Sequence, residues 1–271
     1  FDTNGELLTR WYQLGAFSPF FRNHCEVNSI NQEPWVFGEE KETIIKKYIR
    51  LRYSLINELY NQFYKSNKTG VPVIKPIFME YPEDKSTYDI YDQFIFGENI
   101  LVAPIIRPGV EIRKVYLPEG KWYDYYTGEE YIGGDWILYK ASLEKLPLFI
   151  KGGSIIAFNE VFQSVDKMDR EILKFQITLD GVTDQNEYLN YNDDGNSFDF
   201  ENGKYNLENI KYKVKEDLLV IEIKFLNRCD KYRYKKYKFD VKNSGDIKKV
   251  KVNGERVDFK KVGNKINLEI K

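Results

Sequence analysis

The 271 residues carry 41 Lys and Arg against 42 Asp and Glu, with 42% hydrophobic and 31% charged residues, a globular balance with a net charge of −1. No run of 18 apolar residues exists, which excludes a helical membrane span, and the length allows two or three compact units with their own cores. Cys25 and Cys229 lie about 200 residues apart and read as unpaired thiols, which leans towards a reducing, cytoplasmic compartment.

In chain order, Glu6 to His24 (ELLTRWYQLGAFSPFFRNH) comes first and holds the only histidine. Leu7, Leu8, Trp11, Leu14 and Gly15 fall at helical spacing, giving one apolar face. From Ala16 the period changes. AFSPFFRNH, with Pro19 and its aromatics, favours a short buried strand that ends on three polar side chains. The next 16 residues, CEVNSINQEPWVFGEE, form a polar loop in which Trp35 and Phe37 either present an aromatic face to a ligand or pack the loop down.

From about Glu39 to Ser66 a helix is expected, with Glu39, Glu40 and Glu42 at its start, where the helix dipole favours acids. Its stripe is Ile45, Ile49, Arg52, Leu55, Ile56, Leu59 and Phe63. Gly70 and Pro72 are stop signals, placing a domain boundary near residue 70. Short β-rich runs follow: VPVIKPIFMEY, NILVAPII, RKVYLP, WYDYYTG, WILYKA and PLFIKGGSIIAF, interrupted by one helical turn around Ser86 to Phe96. They predict a β-sandwich over 71–155. A second β module covers 156–271, with runs such as EILKFQITLD, NEYLNYND and KVKVNGERVDFK and the turn dipeptide Asn253-Gly254.

Residues 201–271 carry a net charge of +9 and residues 1–200 a net of −10. A nucleic-acid partner for the basic end is a candidate on charge alone. Its lysines, however, alternate with apolar residues, as in YKVKEDLLVIEIKF, and that marks the wet face of antiparallel sheets instead.

RWYQLGAFSPFFRNH resembles the strand-8 signature of glycoside hydrolase family 31, the α-glucosidases and their relatives. RLRYSLINELY, VPVIKPIFMEYPED, QFIFGENILVAPII, LPEGKWYDYYTGE and LPLFIKGGSII are similar to later blocks of that family in the same order, and Tyr191-Asn-Asp-Asp-Gly195 matches its YxDDG segment. The resemblance implies the final strand and helices of a (β/α)8 barrel, followed by two all-β antiparallel sandwich domains. The expected boundaries are 1–70 for the barrel piece, 71–155 for the proximal sandwich and 156–271 for the distal one. It also implies that His24 hydrogen-bonds the sugar in the −1 subsite and that Arg22 braces the site by pairing with a barrel carboxylate. Arg22 as a rim ion pair with no ligand role is the alternative.

Retaining glycoside hydrolysis needs two carboxyl groups roughly 5 Å apart. In the family these are aspartates in WxDMNE-like and HWxGDN-like contexts, and neither motif occurs here. The expectation is therefore a substrate-binding portion of an α-glucosidase-type hydrolase with no catalytic residue of its own, inactive alone, and needing no cofactor or metal. Its partners would be an α-glucoside oligosaccharide and the N-terminal and barrel portion of the enzyme, with no nucleic acid and no membrane. An α-xylosidase, α-glucan lyase or transglucosidase shares these blocks. From a different class, a non-catalytic carbohydrate-binding or scaffolding pair of sandwiches is the rival.

Asn190, Asn192, Asp194, Gly195 and Glu201 match the spacing of a calcium-binding EF-hand loop, but their flanks read as strands, so a plain turn is favoured. Trp122, Tyr123, Tyr125 and Tyr126 read as core packing before a sugar platform. Arg10 and Trp11 read as tethers of the first helix. Phe1 is offset from the family's GGF aromatic and takes no role.

Overall fold

The computed structural model describes residues 3–181 and 185–270. They form two compact units, one of residues up to Tyr53 with Pro72–Lys151, the other of Ser54–Val71 with Gly152 onward.

In the first unit, helix α1 (Gly5–Gly15) starts at Asn4, whose side chain accepts the Leu7 amide at 2.9 Å, satisfying one of the donors that a helix start leaves unpaired. Its buried Leu8 and Tyr12 pack with Ile45 of helix α2 (Glu39–Ser54), flanked by Phe21, Phe37 and Ile49. The segment after α1 departs from the expected strand. Ala16 to Pro19 is a tight turn, with the Phe17 and Ser18 amides donating to the Leu14 and Gly15 carbonyls, and residues 21–26 run on without a ladder. A strand needs a paired neighbour, and the first described strand is Ile74–Pro76.

The sandwich of this unit is built from β1 (Ile74–Pro76), β2 (Phe94–Phe96), β3 (Ile100–Val102), β4 (Ile112–Leu117), β5 (Lys121–Asp124), β6 (Glu130–Ile132), β7 (Asp135–Lys140) and β8 (Leu148–Lys151). Six pair antiparallel in the order β1-β2-β3-β8-β5-β6, while β4 and β7 form a separate ribbon. Ile95, Leu101, Val115, Leu117, Trp122 and Phe149 fill the core. The expected strand over Val71 to Tyr81 stops at Pro76, and Ile77–Glu80 winds into one helical turn. Proline has no amide to extend the ladder, and burying Ile77 favours the turn.

In the second unit, helix α3 (Ile56–Thr69) ends at Gly70, whose φ of 76° lets its amide cap the Ser66 carbonyl at 2.8 Å. The single helix expected over Glu39–Ser66 is thus two, broken at Leu55, whose φ of −95° and ψ of 9° leave the helix. The strands are β9 (Ser154–Asn159), β10 (Ile172–Thr178), β11 (Gln185–Asn192), β12 (Asn206–Lys215), β13 (Leu218–Asn227), β14 (Lys236–Lys242), β15 (Lys249–Val252), β16 (Glu255–Arg256), β17 (Lys260–Val262) and β18 (Lys265–Ile270). They make two five-stranded sheets, β17-β18-β14-β10-β9 and β11-β12-β13-β15-β16. Phe175, Tyr237, Phe239, Ile210, Tyr212, Ile221 and Val250 belong to their shared core.

Period-2 alternation places the charges as expected: along β12, Ile210 and Tyr212 are buried while Lys211, Lys213 and Lys215 are exposed. Asn253 and Gly254, at φ 50° and 87°, make the tight turn between β15 and β16. Two pairings are parallel, β10 with β14 and β13 with β15. In both cases the chain leaves one sheet, forms strands of the other and returns, which allows parallel neighbours within a sandwich of mostly antiparallel pairs.

Candidate functional site

The predicted site residues sit at the polar tip after α1. Phe21 anchors the tip: its ring meets Tyr12 edge-on, with centroids 5.5 Å apart, and lies so close to Gly15 that an added Cβ would come within 2.6 Å of it. Beyond this anchor Arg22, Asn23 and His24 are exposed. Arg22 Nη2 donates to His24 Nδ1 at 2.9 Å. A guanidinium has no acceptor, so Nδ1 carries the lone pair and the ring proton stays on Nε2, the donor available to a ligand. Asn23 Nδ2 donates to the Gln32 carbonyl at 2.6 Å, and Gln32 Nε2 donates to Thr3 Oγ1 at 3.0 Å, tying the following loop to the tip. Together Leu7, Trp11, Phe20, Arg22, His24 and Gln32 line part of a cavity of about 350 Å³.

The turn that leads into the tip is held from α2. Arg52, only 8% exposed, donates from Nη1 to the Ala16 carbonyl at 3.2 Å and to the Ser18 carbonyl, and from Nη2 to the Pro19 carbonyl at 3.0 Å. Burial pulls its guanidinium down from the ordinary arginine range.

Arg10 tethers as expected, with Nη1 donating to the Ser142 and Lys145 carbonyls at 3.3 and 3.2 Å. Trp11, by contrast, is 61% exposed. In the long loop Phe37 packs against the α1 and α2 core, whereas Trp35 is exposed. The aromatic cluster is structural: Trp122 is fully buried and donates to the Pro118 carbonyl at 2.8 Å, and Tyr126 shares a 2.8 Å hydrogen bond with Tyr48. Phe1 lies outside the described residues.

The EF-hand spacing does not gather oxygens. Asn190 is buried in β11 and bonded to Asn57, Asn61 and Glu208, while Asp194 is half-buried and turned onto Ser197 and the Asn196 amide. Those bonds lower the Asp194 carboxyl to about 2.

Residues 1–62 match the TIM-barrel domain of glycosyl hydrolases family 31, and residues 70–156 match the C-terminal domain of the same family. The chain belongs to glycosyl hydrolase family 31. It is 49% identical over 204 residues to alpha-glucosidase 2 of Bacillus thermoamyloliquefaciens, covering 75% of this chain and 26% of that protein. Human neutral alpha-glucosidase C is 36% identical over 198 residues, or 72% of this chain and 22% of its own length. Among solved structures, a family 31 dextranase from Flavobacterium johnsoniae in complex with glucose superposes with a TM-score of 0.87 at 31% identity, covering 98% of this chain and 36% of that one. A family 31 alpha-xylosidase from Xanthomonas citri gives 0.79 at 30% identity, covering 88% and 26%. The chain thus spans about a quarter of the length of the curated relatives described and corresponds to the C-terminal portion of a family 31 glycosidase.

Within this family 31 chain, sequence reasoning missed a buried polar network on α3. Asn57, Glu58, Asn61 and Gln62 are all buried. Glu58 accepts the Ala157 amide at 3.1 Å, the Tyr188 hydroxyl at 2.7 Å and Gln62 Nε2 at 2.8 Å. Asn61 accepts the Tyr191 amide at 2.6 Å. In the YxDDG segment, Asp193 accepts the Tyr60 and Tyr191 hydroxyls at 2.6 and 2.7 Å, which makes it a brace of this network. Glu208, bonded by Tyr237, Asn190 and Asn206, has its carboxyl pushed up by burial. The one available signal was the set of amides and one acid in INELYNQ that lie off the apolar stripe.

Proposed function

We propose that this chain supplies one wall of the −1 subsite in an α-glucosidase-type retaining hydrolase, with His24 as the sugar ligand and Arg22 as its orienting partner. The observation that carries the reading is the Arg22–His24 hydrogen bond, in which Nδ1 accepts and Nε2–H is left as the ring's donor, on a residue that lines the cavity. One oriented donor to a hydroxyl contributes roughly 1–3 kcal/mol where a buried polar group would otherwise go unpaired. In this reading the Arg22 guanidinium orients the imidazole directly, and its remaining donors are left for the barrel carboxylate expected of it.

In this reading residues 1–70 end the catalytic barrel, 71–155 form the proximal sandwich and 156–271 the distal one. Nucleophile and acid/base are carboxylates of the remaining barrel, placed roughly 5 Å apart for double displacement. We take α-glucosides as the substrate class because the curated relatives described above are α-glucosidases. The test compares the purified chain with the complete polypeptide on a chromogenic α-glucoside. Turnover only by the complete polypeptide is expected, and turnover by the chain alone would overturn the division of labour. Retardation of the chain alone in a glycogen gel would favour the carbohydrate-binding alternative instead.

A further inference from the structure

Helix α1 ends without a basic residue of its own, yet the carbonyls at and just beyond its C-terminus need donors, and the helix dipole favours a cation there. Arg52 of α2 provides both. Its fork reaches the carbonyls of Ala16, Ser18 and Pro19, and its guanidinium lies 5.9 Å from the Phe21 ring. A lysine would have to serve the three carbonyls from a single nitrogen, without the planar fork that holds the guanidinium in one orientation. Phe21 in the notch at Gly15 and Arg52 on the turn before it thus both bear on where the tip starts.

We infer that Arg52 is a positioning residue for the sugar-binding tip, fixing the Ala16–Pro19 turn so that Arg22 and His24 meet the substrate in register. Arg52 touches no substrate; it acts through the backbone that carries His24, and the inference rests on the −1 subsite reading above.

The experiment is a double-mutant cycle in the complete polypeptide, with kcat, KM and thermal melting measured for Arg52→Gln, Arg52→Lys, His24→Ala and the Arg52→Gln/His24→Ala double variant. The expected result is a loss in kcat/KM of about tenfold for Arg52→Gln and a smaller loss for Arg52→Lys. The double variant should fall no more than about threefold below the worse single, because both changes remove one function. A merely structural arginine would give losses that multiply, and that outcome overturns the proposal. So does a folded Arg52→Gln within twofold of wild type while His24→Ala is impaired. If His24→Ala is silent, the subsite reading itself fails and takes this proposal with it, a result distinguishable from the previous one. Should Arg52→Gln not fold, Arg52→Lys carries the cycle. If neither folds, Arg52 is a folding residue and the positioning role is rejected.

Discussion

At the scale of single residues, the tip is set by a close approach that leaves little room. Gly15 gives the Phe21 ring its place, so Gly15→Ala drives a methyl into the ring edge or moves the tip away. A cost of about 1–3 kcal/mol is expected from such overpacking, read as a lowered urea midpoint with unchanged m. No change in midpoint would show that the ring has another seat. That Arg22, Asn23 and His24 form an exposed polar tip was legible in the sequence because polar side chains end an apolar run abruptly. Arg52 was placed on the apolar stripe of its helix correctly, but its task was not legible, since its acceptors are backbone carbonyls that carry no residue code.

At the scale of elements, α3 departs most from its pattern. Helical spacing put Phe63 inside, yet Phe63 is 44% exposed and Asn57, Glu58, Asn61 and Gln62 are buried. Burying polar groups is tolerable when each finds a partner, and here the partners that Asn57, Glu58 and Asn61 find outside the helix come from about 100 or more residues along the chain, beyond the reach of any local period. Replacing Glu58 with Ala leaves the Ala157 amide and the Tyr188 hydroxyl without their acceptor. We expect a loss of about 2–4 kcal/mol in the second unit, measured by denaturant unfolding. A loss under 0.5 kcal/mol would mean that water or neighbouring groups take over its bonds. The parallel pairs β10–β14 and β13–β15 were hidden for a related reason: alternation fixes which face a residue takes, not which strand lies beside it.

At the scale of the whole molecule, the barrel piece and β-rich modules were readable from stop signals, strand spacing and the family blocks, because those depend on local chemistry. The way residues 54–71 group with the distal sheets was not, as it depends on the α3 network. Both units also share an alkaline limit. Burial pushes the Tyr48 phenol of the first unit and the Tyr234 phenol of the second up to about 12, against hydrogen bonds that pull each back. A pKa raised on folding means that the stabilising effect is complete below the ordinary phenol value of about 10 and is lost as pH rises through about 12. In a titration followed at 295 nm and by far-UV circular dichroism, these phenols should ionise only as the dichroism collapses. Full ionisation of all 21 tyrosines near pH 10 with the fold intact would contradict their burial.

The most direct test of the central claim is kcat/KM for His24→Ala in the complete polypeptide, assayed on maltose beside wild type with melting temperatures matched. A fall of about tenfold or more at unchanged stability is the predicted result. Activity close to wild type would contradict the claim that His24 holds the sugar.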